Sequence, residues 1–357
     1  MLRRFRPALL AAAICGAQEF APVVTVETAR VQFHTAPLRS GGDAAEQTRQ
    51  ALDYLRGQLS DGELVKLRAF VKDAADAAAV RAAIWRRLGG KHPPALTLIE
   101  VGDLPRPGAR LALEAVSVSP RVVNPGGLLF ISGQAASASR EKPVPVNELA
   151  RRSLDQLRLA VAGGGAAPAD LVRVTAYVSS LENFPEVRSL VEAFLGPASA
   201  PLAFVQIHRQ PSRPVVEIEA IARLKPAPQA AKVEWLNPAG LAASTNYTQA
   251  IAVRSRRLAM SGAFLATTTS PGAMETQTHE AFRRLAAALD AAGAAVGQVV
   301  FSQVFPVSDE AAALVRKVRA EYYDRSRPPA STMLPFQGVA TSGGFFAVET
   351  IAPLPDP

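Results

Sequence analysis

The side chains able to do chemistry in this chain are few, and most of them sit on apolar strands. Glu217 and Glu219 stand two apart in the run Val216-Glu217-Ile218-Glu219-Ala220-Ile221-Ala222. Successive strand side chains point to opposite faces, so these two carboxylates share one face. Glu114 and Glu349 occupy similar runs earlier and later in the chain. A strand carboxylate of this kind either handles protons or is a partly exposed group paired with an Arg. Tyr247 offers a phenol that can donate to a ligand or pack at an interface. Ser132-Gly133 and Ser261-Gly262 offer backbone groups free of a side-chain obstacle, although a strand-end Gly also marks an ordinary bulge.

Other chemistries are excluded. His34, His92, His208 and His279 lie far apart, none at metal-ligand spacing from another, and Cys15 is the one cysteine. Neither a metal nor another cofactor is expected. No Ser, His and Asp are spaced as a nucleophilic set. Gly163-Gly164-Gly165 follows a helix rather than opening one, so it makes no phosphate-cradling loop.

Of the 357 residues, 48% are hydrophobic and 20% charged, which suits a globular protein of two or three domains. The formal charge of +8 suggests an anionic partner until the N-terminus is read. Residues 1–17 carry Arg3, Arg4 and Arg6, then an apolar stretch, then Cys15-Gly16-Ala17. That layout predicts a signal peptide cleaved after Ala17 and a periplasmic or secreted protein; the alternative is a disordered N-terminal extension. Without those arginines, 36 basic residues face 31 acidic ones. No Lys/Arg run with interleaved aromatics indicates nucleic acid, and Arg254-Ser255-Arg256-Arg257 reads as a hairpin turn. No apolar segment is long enough for a membrane span.

The elements that must position these residues repeat three times. Each copy opens with a short apolar strand, at 31–33, 128–132 and 258–261, followed by an amphipathic helix with apolar pairs Leu52/Leu55, Leu154/Leu157 and Phe282/Leu285. Leu157 to Leu171 and Leu285 to Val299 are both fourteen residues, and a seven-residue strand ending in Phe70, Tyr177 or Phe305 comes next. A second helix carrying Trp85, Phe194 or Tyr322 leads through Pro94, Pro201 or Pro329 into two final strands. The unit is β-α-β-α-β-β, in an α+β fold, with an extra strand at 247–253 opening the third copy. The expected bounds are a signal at 1–17 and units at 24–118, 119–225 and 233–353, the first being the most diverged.

The run Leu128-Leu129-Phe130-Ile131-Ser132-Gly133-Gln134, the strand Ala176-Tyr177-Val178, the Val216–Ala222 ending and Asn246-Tyr247-Thr248-Gln249-Ala250 together resemble the Rid, or YjgF-like, family of enamine and imine deaminases. The resemblance implies a chorismate-mutase-like domain and homotrimers with ligand clefts between subunits. Three fused copies then imply an intramolecular pseudotrimer, monomeric as a chain, whose clefts are free to diverge.

The resemblance also implies roles. In the family an Arg after a Pro-Ala pair binds the carboxylate of a 2-imino acid, as a planar guanidinium does with two parallel hydrogen bonds. The matching positions here are Leu96, Leu202 and Ser331, so all three copies lack the anchor. The family's strand Glu, which helps position water, survives as Glu217 and is replaced by Ala112 and Ala347. Ser132, Gly133, Gln134, Tyr247, Ser261, Gly262, Leu202 and Ser331 become candidate ligand-binding residues, with Glu217 as the catalytic candidate. Arg325 and Arg327 precede the third Pro turn and read as solvated surface. The expected function is binding of a small metabolite in an inter-repeat cleft. The alternatives are hydrolysis of an imine or enamine by Glu217 and a chorismatase-like hydrolase, since chorismatases also contain fused domains of this type.

Overall fold

The computed structural model describes residues 19–59, 61–197, 200–268 and 270–355. The expected signal peptide and Cys15 lie outside these residues. Three α+β units follow one another. The first contains β2 (Val31–Thr35), α1 (Ala44–Gly57), β3 (Glu63–Val71), α2 (Ala77–Leu88), β4 (Ala95–Glu100) and β5 (Leu111–Val118). The second contains β6 (Leu128–Ser137), α3 (Val146–Gly163), β7 (Leu171–Val178), α4 (Phe184–Leu195), β8 (Leu202–Gln206) and β9 (Val215–Arg223). The third contains β12 (Arg257–Ser261), β13 (Phe264–Thr267), α5 (Met274–Ala291), β14 (Phe301–Pro306), α6 (Asp309–Arg319), β15 (Ala330–Met333) and β16 (Gly344–Pro353).

Within each unit the second helix crosses between two parallel strands, β3 to β4, β7 to β8 and β14 to β15. The expected helical stripes are buried: Leu52 and Leu55, Leu154 and Leu157, Phe282 and Leu285 all face the cores between the helices and their own sheet. The opposite sheet faces meet one another. One shared core gathers Phe33, Phe130 and Phe301, another Phe70, Tyr177 and Phe305, each drawing on all three units.

Two short segments cross the unit boundaries. β1 (Val23–Glu27) pairs with β12, and the hairpin β10 (Val233–Leu236) and β11 (Ala250–Val253) pairs with β6. The strand expected to open the third unit therefore completes the second sheet, whose order is β10-β11-β6-β9-β7-β8. An uncovered β6 would present a row of unpaired N–H and C=O groups, and the strand leading into the next unit satisfies them. Residues 254–257 are consequently not a hairpin turn: β11 and β12 belong to different sheets, residues 254–256 carry the chain between them, and Arg257 begins β12. The second helix of the third unit also stops at Arg319, leaving Tyr322 in the following turn, where it stacks on Phe282.

Candidate functional site

β9 lies between β6 and β7, with Glu217 opposite Ala135 and Tyr177. A bulge in β6 between Ile131 and Gln134 throws out Ser132 and Gly133 beside it. A Cβ at position 133 would overlap Glu217 Oε1, so Gly there leaves the carboxyl group its place. Glu217 is 5% exposed, and no hydrogen bond reaches its carboxyl group among the described residues. Burial, and then the charge of Glu219, push its pKa up to about 8, against the opposing pull of Arg213. At neutral pH the side chain therefore holds a proton.

The β11 strand brings the next residues to the same place. Ser132 Oγ donates to Thr248 O at 2.6 Å, and Ser132 N donates to Gln249 O at 3.0 Å. Gln134 Nε2 donates to Ser132 O and to Gln249 Oε1, both at 3.0 Å, which fixes the bulge. Tyr247, half-buried just before β11, has its pKa raised by burial and by Glu217. Phenol and carboxyl thus sense each other across the second and third units.

The third unit closes this cleft with β15. Ser331 N donates to Ser132 Oγ at 2.8 Å. A guanidinium stands beside Ser331 after all: Arg319, the last residue of α6, donates from Nη1 to Ser331 Oγ and from Nη2 to Asn246 O, each at 2.9 Å. Arg319 is 4% exposed and has no carboxylate partner among the described residues. Burial lowers its pKa to about 10. It lies on the buried stripe of α6 with Ala311, Val315 and Val318. A cation at an apolar helical position was the available signal, and it is one that the strand-based comparison of the Pro turns passes over.

Ser132, Gly133, Gln134, Glu217, Tyr247 and Ser331 thus come together, and Ser261, Gly262 and Leu202 do not join them. Ser261 Oγ accepts from Thr350 N at 2.8 Å, while its carbonyl accepts from Lys66 Nζ at 2.5 Å. A Cβ on Gly262 would fall 2.8 Å from Leu96 O, so the backbone of β4 fills that cleft. Leu202 packs against the core of its own unit. Arg327 is exposed, pairs with Asp324 and lies over the Trp235 ring.

Glu114, Glu219 and Glu349 are 4%, 0% and 3% exposed, deeper than the partly exposed position expected of them. They meet at the junction of the three sheets, where Arg68, Lys66 and Arg173 supply three positive charges to the three negative ones. Thr175 Oγ1 also donates to Glu114 at 2.6 Å. These carboxylates hold the units together, which leaves Glu217 as the buried carboxyl group without a partner. No helix among the described residues is long and apolar enough to cross a membrane, and no group of His, Cys, Asp and Glu there is arranged to hold a metal ion.

The family model described as Endoribonuclease L-PSP matches residues 112–224 and 238–352. The chain belongs to the Rid (YjgF-like) family. A Rid relative, the 2-iminobutanoate/2-iminopropanoate deaminase of Escherichia coli K12, is 33% identical over 105 residues, which is 28% of this chain and 82% of that protein. Among solved structures, a putative endoribonuclease from Thermotoga maritima is 29% identical, with a TM-score of 0.25, covering 30% of this chain and 86% of its own. A chorismatase structure is 13% identical with a TM-score of 0.43, over 93% of this chain and 77% of that one.

Proposed function

We propose that the cleft between the second and third units binds a small imine or enamine bearing a carboxylate and hydrolyses its C=N bond. The observation that carries this is Glu217, a buried, protonated and unpartnered carboxyl group packed over Gly133. Its proton goes to the imine nitrogen, which makes the carbon electrophilic; water adds to that carbon and gives a proton to the Glu217 carboxylate, which passes it to the amino group, and the C–N bond then breaks as the hydroxyl proton returns to Glu217, leaving a carbonyl compound and ammonia. Tyr247 supplies a donor on the same side. Arg319 supplies the positive charge that the substrate carboxylate needs, from a helix end in place of the family's strand position. The similarity to the E. coli deaminase supports the same reaction class.

In this reading the three units, with bounds near 24–118, 119–225 and 233–353, take the place of three subunits, and one cleft of the three is active. The chain is then a monomeric pseudotrimer. A second reading is binding without turnover, favoured by Arg319 already being held by Ser331 and Asn246. Ammonia release from freshly generated 2-imino acids separates the two. Release that disappears in Glu217→Gln supports hydrolysis, and silence of the wild type across several imines leaves binding alone.

A further inference from the structure

The second unit has another cavity, of about 700 Å³, one of whose lining residues, Arg213, also acts electrostatically on Glu217. It opens where the parallel pair β7–β8 ends: Ser179 and Ser180 follow β7, and Gln206 closes β8. The carboxyl ends of parallel strands, with helix N-termini around them, are where such sheets usually hold ligands. Here the N-terminus of α3 borders the cavity through Pro145 and Val146, and its N-cap residue, a proline, caps with no side chain. The start of α4 borders it through Asn183 but has no amide to offer, because Phe184 N donates to Leu181 O, Pro185 carries no N–H and Glu186 N donates to Asn183 O. The first turn of α3 leaves partial positive charge at the cavity edge.

Three loops add full charges. Arg140 is held by the carbonyls of Ser212 and Pro211, at 2.6 and 2.8 Å, and keeps Nη1 unused. Arg209 is tied to Lys72 O at 2.6 Å and pairs with Glu100 at 3.3 Å. Arg213 makes no hydrogen bond and no ion pair among the described residues. Three guanidinium groups thus face Glu182 in the lining and Glu100 beside Arg209, an excess of one positive charge. The remaining wall is apolar, built from Pro143, Val144, Pro211 and Pro214.

We propose that this cavity is a binding site for a small phosphate monoester with an apolar organic part. Guanidinium groups approaching from three loops suit a tetrahedral group with three acceptor oxygens better than a planar carboxylate, which a single Arg satisfies. The proline and valine wall takes the organic part.

Calorimetric titration of the full chain at low ionic strength, with phenyl phosphate, inorganic phosphate, benzoate and phenol as separate probes, tests this. Phenyl phosphate is expected to bind at least about tenfold more tightly than inorganic phosphate, benzoate or phenol, with affinity falling as salt rises. Arg213→Ala, at an exposed side chain without bonds to lose, should weaken phenyl phosphate about tenfold or more. Arg319→Met, in the other cleft, should leave that binding unchanged. No binding of phenyl phosphate, equal binding of benzoate or phenol, or unchanged affinity in both Arg213→Ala and Arg140→Ala would overturn the assignment.

Discussion

Arg68 of the first unit sends two N–H groups to one carboxylate oxygen of Glu349 in the third, Nη2 at 2.7 Å and Nε at 3.1 Å. Its Nη1 reaches Glu114 at 2.9 Å and Glu219, in the second unit, at 3.3 Å. One guanidinium therefore joins all three sheets, in surroundings where all four side chains are buried. Removing it would take the only ion-pair partner from Glu114 among the described residues and leave Glu349 and Glu219 to Lys66 and Arg173, and breaking a buried pair from one side costs about 3–5 kcal/mol. Arg68→Met should lower the unfolding free energy measured in urea by a corresponding amount, whereas Arg49→Met, at an exposed ion pair on α1, should change it by less than about 1 kcal/mol.

Acid should loosen the same junction. Burial works to raise the pKa of Glu349, but Arg68 and Lys66 outweigh it and hold the carboxyl down at about 2. A folded-state pKa below the unfolded one means stability that is fully present above the unfolded value, about 4.5, and is lost as pH falls toward 2. Unfolding followed from pH 5 to pH 2 should show a declining midpoint, and Glu349→Gln should flatten that decline while lowering stability at pH 7.

Glu217 carries the opposite sign. Its folded-state pKa is raised to about 8, so its favourable contribution is complete below about 4.5 and disappears as pH rises through 8. Glu217→Gln should therefore be more stable than the wild type at pH 9 and differ little from it at pH 4. The proposed hydrolysis should fail over the same interval in which Glu217 loses its proton, so a rate profile falling near pH 8 matches the stability difference. A flat profile would remove Glu217 as the acid.

Two glycines at corresponding positions should respond differently to one methyl group. At Gly133 the new Cβ meets the end of the Glu217 side chain, and at Gly262 it meets the backbone of Leu96. A side chain can swing aside and a strand cannot. Gly133→Ala should abolish turnover with a small change in thermal midpoint. Gly262→Ala should lower the midpoint by several degrees and leave turnover per folded molecule unchanged.

The repeats were legible because their signals are local: alternation along β9, the stripe of α3 and matched spacings between Leu157 and Leu171. Which strand covers β6 was not, because Ala250 pairs with Ile131 across more than a hundred residues, and pattern fixes a strand's faces without naming its neighbour. For the same reason Ser261 and Gly262 looked equivalent to Ser132 and Gly133. Only the packing of β4 shows that one pair faces Leu96 and the other Glu217. The depth of Glu219 was equally hidden, since its partners Arg68 and Arg173 come from two different units.

Arg319 gives the sharpest separation between a structural and a ligand-binding group. If it only braces Ser331 and Asn246, Arg319→Lys and Arg319→Met should reduce stability and leave affinity for small carboxylates as it was. If it binds substrate, both variants should raise KM for 2-imino acids and weaken 2-oxobutanoate, a stable carbonyl analogue, by about tenfold or more, the scale of one charge-assisted hydrogen bond. Lys should recover part of the loss as a point charge without the planar fork. Imines lacking a carboxylate supply the control: their hydrolysis should be indifferent to residue 319, because a guanidinium that meets no anion contributes nothing to the difference between substrate and transition state.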